Sequence, residues 1–229
     1  DKFFANTYII YSKNHEYIST NSIVSQNYSQ SENIIIKDKN FLLFSSNIDK
    51  YFKPILTNIK LTIGGTKSNF QNIVNNSDLR TVINSSFNYG FELRSSFKDF
   101  LNFNIGSKWE YNEVNTIFKN SYNENNSFID LYFILNKKIN FQLETERYYN
   151  SNLDKKNNKY YFMDLELNYV PNKNKLSFSI LANNLFNTKT FKNYLVDDVS
   201  ISKTEYRLLP RYILLKIDFR FWNLIKFVN

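Results

Sequence analysis

From Leu215 to Phe221 the chain changes character at every step. Ile213, Leu215, Ile217, Phe219 and Phe221 fall on one side of an extended segment, and Lys216, Asp218 and Arg220 on the other. Such a period of two places one side against something apolar and the other against water or a polar interior. The same alternation recurs upstream. Leu101, Phe103, Ile105, Trp109 and Tyr111 oppose Asn102, Asn104, Lys108, Glu110 and Asn112. Ile83, Phe87, Tyr89, Phe91 and Leu93 oppose Arg80, Asn84, Asn88, Glu92 and Arg94. Tyr161, Met163, Leu165, Leu167 and Tyr169 oppose Asp164, Glu166 and Asn168.

Taken along the whole chain, this pattern predicts an all-β, antiparallel fold of about eleven strands with no helix. The pattern is weak before Phe41. There, Ser12-Lys13-Asn14-His15 reads as a turn and 29–40 as a loop interrupted by Ile34-Ile35-Ile36. Further loops are expected at 71–78, 118–126 and 150–158, and a longer connecting segment over 184–210. Tight turns are expected at Lys53-Pro54, Lys98-Asp99, Lys137-Lys138 and Pro171–Asn174. With only 4 Gly and 3 Pro in 229 residues, the turns must rely on Asn, Asp, Lys and Ser.

Short and long connections thus alternate along the chain. Transmembrane β-barrels show this asymmetry, with tight turns at one end and longer loops at the other, whereas a sandwich has no reason for it. A barrel also accounts for a strand that ends in alternating aromatics, since aromatic side chains mark the membrane–water boundary. No run approaches the roughly 20 apolar residues of a membrane helix. The chain begins at Asp1 with neither Met nor a signal peptide, as expected of a mature form or a fragment.

Several function classes recede on composition. There is no Cys, so disulfides, thiolate metal sites and Cys nucleophiles are excluded. The net charge of +8 resides mainly in turns, without a groove-reading motif, and points away from nucleic acid. The single histidine, His15, reads as a solvated turn residue and not a catalytic base. Glu144, Glu146, Asp164 and Glu166 resemble a paired-carboxylate site, but the simpler reading is a hydrated wall neutralised by Lys108, Arg94 and Arg147 near Glu110. Asp197-Asp198 is a weak cation-site candidate. No catalytic, metal or cofactor site is expected. Tyr122, Tyr148, Tyr149 and Tyr194 fall at loop-side strand ends, where they could stack on a ligand. Trp109 and Tyr111 read as girdle residues.

The last forty or so residues carry a more specific pattern. Asn184-Leu185-Phe186-Asn187 follows a strand, and Pro210-Arg211 introduces the last one, which closes on Phe219 and Phe221. This resembles the C-terminal end of TonB-dependent outer-membrane receptors, especially those of Bacteroidetes. The resemblance implies that residues 1–221 are the C-terminal half of a 22-stranded barrel in the outer membrane of a Gram-negative bacterium, with 222–229 as a tail. It also implies partners: outer-membrane lipid, an N-terminal plug with the remaining strands, the TonB complex, and a surface lipoprotein in the sugar-importing members. The implied function is import of a siderophore, glycan or peptide. Two other readings stand beside it: a small stand-alone barrel acting as a passive pore or structural protein, and a soluble β-sandwich binding protein.

Overall fold

The computed structural model describes residues 2–95, 100–171 and 176–219. Within them lie twelve strands: β1 (Phe3–Val24), β2 (Ser29–Phe52), β3 (Thr57–Val74), β4 (Arg80–Ser95), β5 (Leu101–Asn115), β6 (Lys119–Ile134), β7 (Ile139–Asn150), β8 (Lys159–Tyr169), β9 (Leu176–Asn183), β10 (Thr190–Val196), β11 (Ile201–Arg207) and β12 (Tyr212–Phe219). A 3-10 turn at Lys53–Ile55 is the one helical element among the described residues, and none is long and apolar enough to cross a membrane. That last fact says nothing about strands. The turns expected at Lys98-Asp99 and Asn172–Asn174, the terminal Phe221 and the 222–229 tail lie outside the described residues.

Ten strands form a single antiparallel meander in the order β1 to β9, then β12. The sheet is not closed: β1 and β12 are its edges. β10 and β11 form a separate two-stranded hairpin.

Residues directly opposite one another on paired strands share a face, so the registers can be followed across the sheet. Ile63 faces Tyr89, and Tyr89 faces Trp109. Ile105 faces Ile129, Leu131 faces Leu143, Leu143 faces Leu165 and Leu165 faces Ala182. Ala182 then faces Ile213. The apolar sets read separately from each strand therefore merge into one continuous apolar face. The opposite face is polar: Glu92 faces Lys60, Asn104 faces Asp130, Asp130 faces Glu144, and Glu144 faces Asp164.

The apolar face is the more exposed of the two. Ile213, Leu215 and Ile217 are 72%, 66% and 57% exposed, and Leu61, Tyr89, Phe91 and Ile129 are also open. On the polar face Asn102 is fully buried and Asn72 is 3% exposed. A water-soluble sheet of this composition would reverse the assignment.

Aromatic rings sit on the apolar face at two levels. Phe44, Phe87, Tyr89 and Trp109 touch in succession, with Tyr89 stacked on Trp109 at 5.0 Å. At the other level Phe133 lies between Phe100 and Phe141, and Tyr169 stacks on Phe178. Leu101 is opposite Phe133, and Trp109 lies eight residues beyond Leu101 on the same strand. That is about 26 Å of strand at ~3.3 Å per residue. Three hydroxyls between the levels are satisfied internally. Ser107 and Ser127 share a 2.7 Å hydrogen bond, and Thr145 donates to the Ile129 carbonyl at 2.8 Å.

Three expectations need correction. Residues 12–15 are not a turn, and 29–40 are not a loop; both lie inside the β1–β2 pairing. Residues 118–126 are mostly strand, because the β5–β6 turn closes over Thr116–Phe118 with Thr116 N–H donating to the Phe118 carbonyl. Asn and Ser hid these strands. In β6 such residues make defined bonds: Asn125 donates to Ser107 Oγ and to the Lys108 carbonyl, both at 2.9 Å, and Asn126 donates to Glu146. The added length at this end of the sheet is therefore largely overshooting hairpin and not loop. The scarcity of glycine has the expected effect. Asn75, Asn76, Asn184 and Asn187 take the left-handed conformation at turns, as does Leu56, while Asp38 takes it inside β2 and none of the described glycines does.

Candidate functional site

The segment between β9 and β12 leaves the sheet, folds onto its polar face and returns. Its root is the Asn184–Asn187 stretch. Asn184 (φ 53°) and Asn187 (φ 55°) are both left-handed, a conformation that asparagine tolerates better than most residues. Asn184 Nδ2 donates to the carbonyls of Thr188 and Leu209, at 2.9 and 2.8 Å, so one side chain ties both legs of the hairpin. Thr188 N–H donates back to Asn184 Oδ1 at 2.8 Å, and Arg211 N–H donates to Asn187 Oδ1 at 3.2 Å. Leu185 N–H donates to the Met163 carbonyl and Asn184 N–H to Asp164, fixing the root to β8.

From this root the β10–β11 hairpin crosses the loop end of the sheet. Near β7 and β8, Phe191 packs against Tyr148, Tyr160, Phe162 and Tyr206, with ring centroids 5.0–6.3 Å apart. Tyr160 Oη accepts a hydrogen bond from Lys192 N–H. Over β5 and β6, Val196 forms a small buried cluster with Val114 and Tyr122, and Tyr194 packs edge-on against Tyr122 at 6.4 Å. At the tip, Asp198 reaches β3 and β4. Its carboxylate accepts from Arg80 and from Asn72, each at 2.5 Å, and its carbonyl accepts from Arg80 at 3.0 Å. Arg80 Nε closes the knot on Asn72 Oδ1 at 2.8 Å. Burial and the neighbouring Asp197 push the Asp198 carboxyl above the usual carboxylate range, against the opposing pull of Asn72 and Arg80.

Beyond the hairpin, two of the clefts on the polar face adjoin. One, of about 380 Å³, is lined by Asn88, Lys108, Glu110, Glu124, Asn126 and Tyr148 among others, so Tyr148 belongs both to the cleft and to the hairpin's packing. The second, of about 410 Å³, lies along Asn104, Asp130, Glu144, Glu146 and Asp164. These carboxylates are held by amides. Asn104 donates to Asp130, Asn126 to Glu146, Gln142 to Glu144 and Asn168 to Glu166. The expected neutralisation takes a different form. Arg94 instead pairs with Asp49 and Glu92, beside a Lys60–Glu92 contact. Arg147 lies on the apolar face, opposite Ser127 and Tyr161, and donates to Asn125.

The four tyrosines singled out from the sequence separate. Tyr122, Tyr148 and Tyr194 meet at or under the hairpin. Tyr149 does not join them, being opposite Asn125 and Lys159 on the other face. Of the residues assigned to barrel closure, Ile213, Leu215, Ile217 and Phe219 pair β12 with β9 and are exposed, while Phe221 is not described. His15 is a strand residue, 3.5 Å from Asp38 and largely exposed. Among the described residues no group of three or more His, Cys, Asp or Glu is arranged to hold a metal ion. Sequence reasoning missed Asn72, Arg80, Tyr160 and Phe191. One signal was present: two β-prone runs, 190–196 and 201–207, flank Asp197–Ser200, which is the pattern of a hairpin.

No known family model, curated protein or solved structure matches the chain.

Proposed function

We propose that this chain is part of the wall of an outer-membrane β-barrel transporter of the TonB-dependent receptor type, not an enzyme, and that it contributes to import of a small ligand. One observation carries the reading: the apolar face is exposed and banded by two levels of aromatics, while the polar face is the more buried one. Lipid rewards that inversion, since apolar side chains lose nothing by facing hydrocarbon and the interior strands pair their backbones along ladders on both sides. The spacing between the aromatic levels agrees in order with an apolar band ~25 Å tall. The two sheet edges would be closed by further strands, and the polar clefts would face a lumen. Against the soluble sandwich, the second layer that exists, β10–β11, lies on the polar face.

The test is cell fractionation of the full-length protein with heat-modifiable gel migration. Recovery from the outer membrane with faster migration of the unheated form supports the proposal; recovery in the soluble fraction overturns it. A stand-alone barrel gains from one observation, because ten strands in the main sheet is an even number, as single-chain bacterial barrels require. The reading frame preceding residue 1 separates the two. A plug domain encoded there supports the receptor.

A further inference from the structure

We propose that the β10–β11 hairpin is a latched strap. It swings as one body about its asparagine root and, when latched, covers the loop end of the polar face. It has its own backbone ladder, from Thr190↔Arg207 to Val196↔Ile201, and shares no ladder with the main sheet. Between Lys189 and Leu208 the bonds that hold it down involve side chains. Its outer strand, β11, is exposed along its whole length, so only β10 and the tip would lose contacts on opening. The root does not depend on those contacts, because Asn184 and Asn187 bond to the legs of the hairpin itself.

The holding contacts are unequal. The middle is a small apolar patch of Val196, Val114, Tyr122 and Tyr194. The tip is a closed polar knot in which Asp198, Arg80 and Asn72 satisfy one another, with the Arg80 and Asp198 side chains 16% and 12% exposed. Charge-assisted hydrogen bonds of this kind are stronger and more directional than neutral ones. Losing one partner leaves the other charge partly buried and uncompensated, which favours release. In the latched position the hairpin presses Phe191 onto Tyr148, a residue that also lines the 380 Å³ cleft. Opening would therefore change the cleft as well as uncover it. That the strap gates entry from outside the cell rests on the transporter reading; that it swings does not.

The chain has no cysteine, so paired spin labels can be placed cleanly in the full-length protein. One pair, at Ser200 of the tip and Ser77 of the β3–β4 turn, reports the latch. A second pair, at Ser77 and Asn157, reports the sheet alone. Both pairs sit at exposed positions. Pulsed dipolar measurement should give one narrow tip distance in the parent. Arg80→Ala should add a longer population, raising the open fraction on the order of tenfold, and leave the sheet pair unchanged. Asp198→Asn, nearly isosteric, should do the same to a lesser degree. A tip distribution that neither substitution alters overturns the strap. If Arg80→Ala also disturbs the sheet pair, Asp198→Asn decides by the same criterion. Fractionation of the same preparations tests the transporter reading separately: a soluble protein with a swinging tip would keep the strap and end the transporter.

Discussion

The meander from β3 through β9 to β12 and the hairpin β10–β11 are both antiparallel sheet, yet they are held by different physics. In the meander a side chain's face follows from its position along the strand, and the two faces meet two environments. In the hairpin, position along the strand decides little. Its place depends on single groups: Phe191 among rings, Asn184 between two legs, Asp198 on Arg80. The distal half of β1–β2 belongs with the hairpin. It bends at Asp38 (φ 64°) and lays β1 beside the end of β3, where Asn21 and Ser22 pair in parallel with Ile73 and Val74. Tyr17 and Ser19 then donate to the Gln71 carbonyl at 2.6 and 2.7 Å. A solvent-sorted wall should tolerate changes that respect the face and reject those that do not. A contact-held element should respond to the loss of one atom.

The largest expected effect breaks the wall. Ile105→Arg or Leu215→Arg places a charge on the apolar face and should cost up to ~2–4 kcal/mol if that position is near the bilayer midplane. Asn104→Arg, one residue away on the polar face, should cost less than ~1 kcal/mol. Folding into vesicles, followed by urea titration, measures all three. Equal costs at 104 and 105 would mean that both faces meet the same solvent.

Next is the packing of the polar face. Gly106 is directly opposite Phe128, and a Cβ added there would lie 2.5 Å from Phe128 Cζ and 2.9 Å from the Phe91 carbonyl. Gly106→Ala should therefore cost about 1–3 kcal/mol, in the range of overpacked cores. The same titration reads it, and Phe128→Leu in the same chain should recover part of the loss. An unchanged midpoint for Gly106→Ala would show that the polar face is looser than these contacts indicate.

The root of the strap should respond less, and locally. Asn184→Ala removes the ties to both legs and leaves a residue poorly suited to φ 53°, at a cost of about 1–2 kcal/mol. Asn184→Gly keeps the backbone geometry and loses only the ties, so it should fall between parent and Ala. Limited proteolysis within 190–207 of the full-length protein should accelerate in the order parent, Gly, Ala, with no change in cleavage of the β7–β8 turn.

These contrasts explain what could be read in the sequence. Alternation alone was enough to place Leu61, Tyr89, Ile105, Leu131, Leu165 and Ile213 on one face, because a continuous environment imposes a continuous pattern. It failed at 12–15 and 29–40. There Ser12, Asn14, Ser29, Ser31 and Asn33 read as turn residues, although their backbones pair in the β1–β2 ladder. It failed again at 184–210, where Asn184-Leu185-Phe186-Asn187 could be recognised as a pattern. Its physical role, two left-handed asparagines that turn the chain inward, needed coordinates. Arg80 and Asp198 lie 118 residues apart, and no local period links them. The acidic row on β7 and β8 was legible as a row, and its continuation to Asp130 on β6 was not. Its amide partners were not, because Asn104, Asn126 and Gln142 carry no charge signal.

The smallest expected effect concerns the other contact-held element. His15 and Asp38 stand opposite each other where β1 and β2 bend, yet their ring nitrogen and carboxylate oxygen are 3.5 Å apart and their side chains are 81% and 66% exposed. An exposed pair of this kind contributes little, so the bend should depend on the backbone of Asp38 and not on the charge. His15→Ala should then change the unfolding free energy by less than ~0.5 kcal/mol. Asp38→Gly, which accepts φ 64° without a Cβ, should be neutral or slightly stabilising; Asp38→Val, for which that conformation is strained, should loosen the distal half. Hydrogen exchange at Asn21 to Val24 reads that loosening directly. If His15→Ala alone released those amides, the ion pair would be holding the bend, and a second polar latch would have to be added to the one at Arg80.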